Sequence, residues 1–585
     1  MKSKLLWVLS VAALFSCGKA DNMDWQQVLL PDGYSDSHIL SISINGEYII
    51  VGTYGGGALY SDDNCKSWAV FDTSKGLSWD FIMGGYRKGN HIALATLGDG
   101  INISNDGGAH WDRFGYNFFG VEYLYAVGYA VAGDLNYMPT ADGLVLFGND
   151  INKWRALTER EGFSSQYLYD MAIDDQVLAL GSLNGISISQ DNGQTWKNFA
   201  PNGKVSTDKL PLCKVRAVAV RNGIFYAGCD DGLFVSDNNG NSWEELGQDT
   251  LQSAYIRDLV FDHSGRLWIA TYKEAACYDP KGKAWQVCLS GDYLPPGGVN
   301  CIGVTIEGQI LAGTNYGLYK LGSGEAKRFI EQKIDSEFLT TEEPFHQWML
   351  RPISPDYQNC KDQTYLYGST MGGNFRQHQG NEYNNPEGVP ILAVDNGTIV
   401  FTDTSIGHSV MRCETPYNGQ PLFAHYHHQN EILRKAGDNI LRGEPVGTIG
   451  KKGNVTNEHL HFEVALSDVG SQIDSVSTTR NSELWVEPLP GCGTIVGVVV
   501  DSQDMPVPGA RIYGVTKPIP GETPFSFAET YREKVHADSL YGENFVIGDV
   551  PAGEYTLYTK VGDSQSRIRV LVEAGKVTRA RMKLK

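Results

Sequence analysis

Two imidazoles separated by one residue, His459-Leu460-His461, sit in an apolar, β-prone run that continues as Phe462-Glu463-Val464. In a strand, residues i and i+2 project from the same face, so both rings address the same space. Neutral imidazole is a good zinc ligand, and an imidazole held off the metal can carry a proton near neutral pH. The pair can therefore divide metal binding from acid–base work. More donors lie upstream, in His378-Gln379-Gly380-Asn381-Glu382 and in Leu422-Phe423-Ala424-His425-Tyr426. Seven of the 13 histidines fall between positions 378 and 461, far more than even spreading over 585 residues would give. That clustering predicts a metal site.

The elements that must position these residues read as short strands and glycine turns. Pro390 to Val400 reads as strand, turn, strand around Asn396-Gly397. Gly437-Asp438, Gly443 to Gly447 and Gly450 to Gly453 punctuate the chain between there and the histidine pair. The combination Arg376-x-His378-x-Gly380, Ala424-His425, the Gly450–Gly453 turn and His459-Leu460-His461-Phe462-Glu463 resembles the lysostaphin-type (LytM-like) zinc metallopeptidases. The resemblance implies an antiparallel-β domain that holds Zn2+ through His378, Glu382 and His461, leaving a fourth position open to water. It implies catalytic roles for His425 and His459, with the choice of base left open. The substrate implied is the peptide cross-link of peptidoglycan. One departure matters: the family's usual carboxylate ligand is Asp, and Glu382 carries one more methylene, which displaces its oxygens by roughly 1.5 Å unless the backbone compensates. His427 and His428 are read as exposed or groove residues, His408 has no assigned role, and Glu463 is read as a structural strand residue.

Upstream the chain repeats itself. Small residues recur in matching contexts at Gly57, Gly100, Gly143, Gly185, Gly232, Ala275 and Gly317, and tryptophans follow at Trp68, Trp111, Trp154, Trp196, Trp243 and Trp285. A period near 43 residues with short alternating strands predicts four strands per unit, and Trp25 predicts that the N-terminal strand completes the last one. This describes a seven-bladed β-propeller whose ring closure protects the sheet edges. Ser189-Gln190-Asp191-Asn192-Gly193-Gln194-Thr195-Trp196 resembles the Asp-box hairpin, with near copies at Ser61, Ser104 and Ser236. Such boxes mark a fold, so the propeller is read as a binding or scaffolding part with a protein or glycan ligand.

The ends complete the organisation. Met1-Lys2-Ser3-Lys4, an apolar run from Leu5 to Phe15 and then Ser16-Cys17 read as an export signal. Leu14-Phe15-Ser16-Cys17 resembles the bacterial lipobox, which implies lipidation of Cys17 and anchorage in the bacterial cell envelope. Nine cysteines would then remain, and Cys277 with Cys288 could meet across a hairpin or stay reduced. The C-terminal motifs Gly493 to Asp501, Pro506-Val507-Pro508-Gly509-Ala510 and Val550-Pro551-Ala552-Gly553-Glu554-Tyr555 resemble the carboxypeptidase-regulatory-like β-sandwich, which carries no catalytic residues there. A formal charge of −20 argues against nucleic acid or anionic lipid as a partner. The reading is an all-β multidomain chain: 1–16 signal, 17–325 propeller, 326–488 connector and zinc metallopeptidase, 489–585 sandwich. Its function is expected to be membrane-anchored endopeptidase action on peptidoglycan. The rival is an envelope adaptor that binds peptidoglycan, a glycan or a partner protein without cutting.

Overall fold

The computed structural model describes residues 23–31, 34, 38–96, 99–115, 126–148, 150–204, 213–289, 294–295, 298–322, 335–339, 341–342, 346–354, 356–357, 366–370, 376–453, 455, 458–466, 478–513, 515, 528–532, 535–561 and 564–584. Cys17 and the leader lie outside them. Helix among the described residues is confined to four single 3₁₀ turns, and none is long and apolar enough to cross a membrane.

Residues 25–321 form seven four-stranded antiparallel sheets, propeller-like blades in sequence order. Trp25–Gln27 pairs with Gly317–Leu321, so the first strand completes the sheet whose other three strands come from the end of the repeat. The periodic glycine has a steric cause. At Gly57, Gly100, Gly143 and Gly185, φ is positive and a Cβ would collide with the carbonyl oxygen of the neighbouring strand at Phe71, Phe114, Leu157 and Phe199. Side chains stitch successive inner strands together one period apart: Val218 N–H donates to Asp170 and Ile302 N–H to Asp258, each at 2.8 Å. In the clearest turn, Asp191 Oδ1 accepts from Thr195 N–H at 2.8 Å and Ser189 Oγ from Gly193 N–H at 2.8 Å. Cys277 and Cys288 lie in one buried core on diagonal positions of a hairpin, with no bond joining them.

The site-bearing domain is a seven-stranded antiparallel sheet. Its relevant strands are β1 (Asn381–Asn384), β2 (Gly397–Asp403), β3 (His408–Cys413), β4 (Phe423–His427) and β5 (His459–Ala465). They lie side by side in the order β1-β5-β4-β3-β2. One face packs on Tyr383, Tyr426, Leu460 and Phe462, all fully buried, and the alternate residues carry the histidines to the other face.

Residues 492–583 form most of two further sheets, of five and four strands, which enclose a shared core that includes Ile495, Phe545, Leu557 and Val570. Two strands of the connector, Asp335–Leu339 and Thr341–Glu342, add to these sheets, one to each. Strands from both sides of residue 489 therefore share these sheets. The core beneath the seven-stranded sheet also takes in Val496, Val546 and Val577 from the C-terminal strands.

Candidate metal centre

Register brings the donors together. Glu382 on β1 lies opposite His461 on β5, and His461 lies opposite His427 on β4. Continuing the β3–β4 register puts His408 opposite His427. Four chemistry-bearing side chains thus form a row across four strands, with His425 and Glu463 in the adjacent row. His378 arrives from outside the sheet on a segment whose backbone is fixed at both ends. Its N–H donates to Ser369 O and its carbonyl accepts from Gly368 N–H, each at 2.9 Å. Gly380 must lack a side chain, because a Cβ there would collide with the Phe462 carbonyl and the His461 ring.

His378 Nε2 lies 3.1 Å from His461 Nδ1 and 3.2 Å from Glu382 Oε1. The three donor atoms all fall within 4.8 Å of one another. Ligands about 2.0–2.1 Å from a tetrahedral zinc are separated by roughly 3.3 Å, so two nitrogens and one oxygen at these spacings fit that ion. The longer Glu382 side chain reaches the cluster from its β1 position. His459 Nε2 lies 3.6 Å from Glu382 Oε1, close enough to act on a group held there. His425 is one strand further away, with Nδ1 3.3 Å from His408 Nε2.

Burial opposes charge on Glu382, but the neighbouring His459 and hydrogen bonds from His378 and His461 overcome it and hold the carboxyl well below its usual range. Burial likewise lowers His378. At His461 burial is outweighed by hydrogen bonds to Glu382 and Glu463, which push the ring up to about 9. Burial carries His408 and His428 down to about 2, with neighbouring imidazoles adding to the effect, and it also lowers His427.

Three residues take on more than their sequence reading. Glu463 Oε1 is 2.9 Å from His461 Nε2, which fixes the ring so that Nδ1 faces His378. His427 is half-buried and stacks on His408, ring centroids 3.9 Å apart. His428 Nδ1 is 2.8 Å from Lys452 O, and its ring lies 4.9 Å from that of His459. The strand period was the available signal for two of them: His427 shares the face of His425, and Glu463 that of His461.

Parts of this chain are similar to known proteins. The model of Peptidase family M23 matches residues 376–475, and that of the two component regulator propeller matches 250–273. Peptidoglycan DD-endopeptidase ShyC of Vibrio cholerae serotype O1 is 28% identical over 100 residues, 17% of this chain and 22% of its own. DD-carboxypeptidase/endopeptidase Mpg of Neisseria meningitidis serogroup B is 31% identical over 104 residues, 18% of this chain and 23% of its own. This chain thus spans under a quarter of either relative. Among solved structures, YCF48 from Cyanidioschyzon merolae has a TM-score of 0.39 at 16% identity, covering 51% of this chain and 98% of that one. A streptogramin B lyase structure has a TM-score of 0.41 at 10% identity, covering 52% and 99%. The segment that matches Peptidase family M23 is the one that carries His378, Glu382, His425, His459 and His461.

Proposed function

We propose that the chain is an envelope-anchored zinc endopeptidase that hydrolyses peptide bonds in peptidoglycan cross-links. The observation that carries this reading is the convergence of one donor atom each from His378, Glu382 and His461 within 4.8 Å, with His459 beside them. The match to Peptidase family M23 and the names of the relatives support the substrate class. His378, Glu382 and His461 hold the ion. Bound there, zinc supplies Lewis acidity that polarises a peptide carbonyl and makes water nucleophilic near neutral pH. Glu463 binds His461 Nε2–H and thereby keeps the Nδ1 lone pair turned inward. His459 and His425 take and return the proton that must pass from water to the leaving amine. The buried sheet face beneath them keeps the rings oriented and limits bulk water.

In this proposal the seven sheets close into a seven-bladed propeller with Asp-box turns, and the C-terminal sheets form the carboxypeptidase-regulatory-like sandwich. Both parts serve in positioning and partner binding. Lipidation of Cys17 would hold the assembly at a membrane of the bacterial envelope.

Metal analysis combined with a muropeptide digest tests the reading. Purified protein should hold one zinc and release cleaved cross-links. His459→Ala should keep the metal and lose the products, whereas His461→Ala should lose both. Zinc without products in the native protein would establish the adaptor role instead.

A further inference from the structure

The metal triad leaves a second set of donors on the next two strands. His408 on β3 with His425 and His427 on β4 offer three ring nitrogens that all lie within 4.8 Å of one another. His408 Nε2 and His425 Nδ1 are 3.3 Å apart, close to the roughly 3.3 Å edge of a tetrahedral zinc site. His427 Nε2 is buried and has Glu463 Oε1 at ion-pair distance, 3.8 Å away. Glu463 lies between the two donor sets, within 2.9 Å of His461 and 3.8 Å of His427, so its negative charge acts on both.

We propose that His408, His425 and His427 form a second, weaker transition-metal position adjoining the first. Imidazole nitrogens favour borderline ions such as Zn2+, Cu2+ and Ni2+ over Mg2+ or Ca2+. The weakness follows from ring geometry. His378 and His461 cross at 74°, which lets their lone pairs converge, whereas His408 and His427 stack at 14°. His425 lies nearly parallel to both, at 26° to His408 and 15° to His427, so face-stacked rings must turn out of the stack before their lone pairs can meet at one ion. Occupancy of this position does not depend on the reading of the first site, but its effect on hydrolysis does. A cation bound to His425 takes the lone pair that the proposed acid–base role needs, so excess zinc should inhibit.

The test uses the full-length chain, stripped of metal and titrated with Zn2+ and, separately, with Co2+. Bound metal is counted after equilibrium dialysis, and the Co2+ visible bands report each site. The native chain should take up two equivalents, the second more weakly. His408→Ala and His427→Gln should each lose the weak equivalent and keep the tight one, while His378→Ala should keep the weak one. A native chain that takes up a single equivalent, lost in His378→Ala, overturns the second position and leaves the first intact. A weak equivalent that persists in both His408→Ala and His427→Gln also overturns it. Uptake of none would sink the first reading as well.

Discussion

Glu382 shows how one methylene is absorbed by its surroundings. From β1, whose pairing with β5 fixes Asn381 to Asn384 against Phe462 to His459, the longer acid brings Oε1 to 3.2 Å from His378 Nε2. The register leaves β1 little freedom to shift. Glu382→Asp, although it restores the residue usual in the resembled family, should therefore pull the carboxylate back by roughly 1.5 Å. The expected result is weaker zinc retention and a loss on the order of 10²-fold in muropeptide cleavage, checked by metal content and digest rate together. A second acid makes a pH prediction. Burial is the main cause that raises Glu543 to about 8 from an ordinary 4.5, although it accepts from Asp538 N–H and from the Tyr531 hydroxyl. A carboxyl raised in the folded state favours folding fully below 4.5, and that contribution drains away as pH climbs through about 8. Glu543→Gln should flatten the decline of Tm between pH 5 and 8, as measured by calorimetry in matched buffers. The grouping of His378, Glu382 and His461 was legible because their spacing follows the resembled motif. His408 was not, because its partnership with His427 arises from the register between β3 and β4 and no local pattern encodes that register.

At the scale of the element, the repeated turn explains both what the sequence displayed and one local strain. Gly108, Gly193 and Gly240 occupy the same turn position with φ of 95°, 82° and 83°, and Cys65 occupies it with φ of 68°. A side chain in the left-handed region costs about 1–2 kcal/mol relative to glycine. Cys65→Gly should relieve part of that cost and gain about 1 kcal/mol for the first blade, offset slightly by the greater freedom of glycine in the unfolded chain. Chemical denaturation followed by tryptophan fluorescence gives the check, and a loss of stability would show that packing of the Cys65 side chain outweighs its backbone strain. The 43-residue period was readable because most units carry a glycine, pressed by a neighbouring carbonyl at Gly57, Gly100, Gly143 and Gly185, and a tryptophan beside the turn. The stitching by Asp170 and Asp258 was not readable, since those carboxylates reach backbone N–H groups 48 and 44 residues away. Such contacts exist only once the inner strands stand side by side.

For the molecule as a whole, the C-terminal sheets pack as part of the body that carries the metal centre. Buried Arg351 of the connector donates to both oxygens of the partly buried Asp549, at 2.9 and 3.0 Å. His346, stacked on Trp485, lies 3.1 Å from Asp538, which also accepts from the Tyr417 hydroxyl at 2.7 Å. Three sequence regions thus meet in one seam between the connector, the β3–β4 hairpin and the last domain. Towards the blades the same sheets reach out with Arg511, whose guanidinium lies over Tyr54 and donates to its carbonyl at 3.0 Å, and with Tyr558 against Tyr316. Motif reading assigned 489–585 to a module of its own because each motif was recognised along the chain. The seam joins residues 198 positions apart and left no local trace. Asp549→Ala leaves the Arg351 charge buried without its carboxylate, at a cost of roughly 3–5 kcal/mol. If the two parts share one core, that loss should lower a single transition covering the metal centre and the C-terminal sheets, while leaving the blades' transition in place. Calorimetry paired with zinc release during heating distinguishes the cases: zinc leaving at an unchanged temperature while the last domain melts early would show that the parts fold independently.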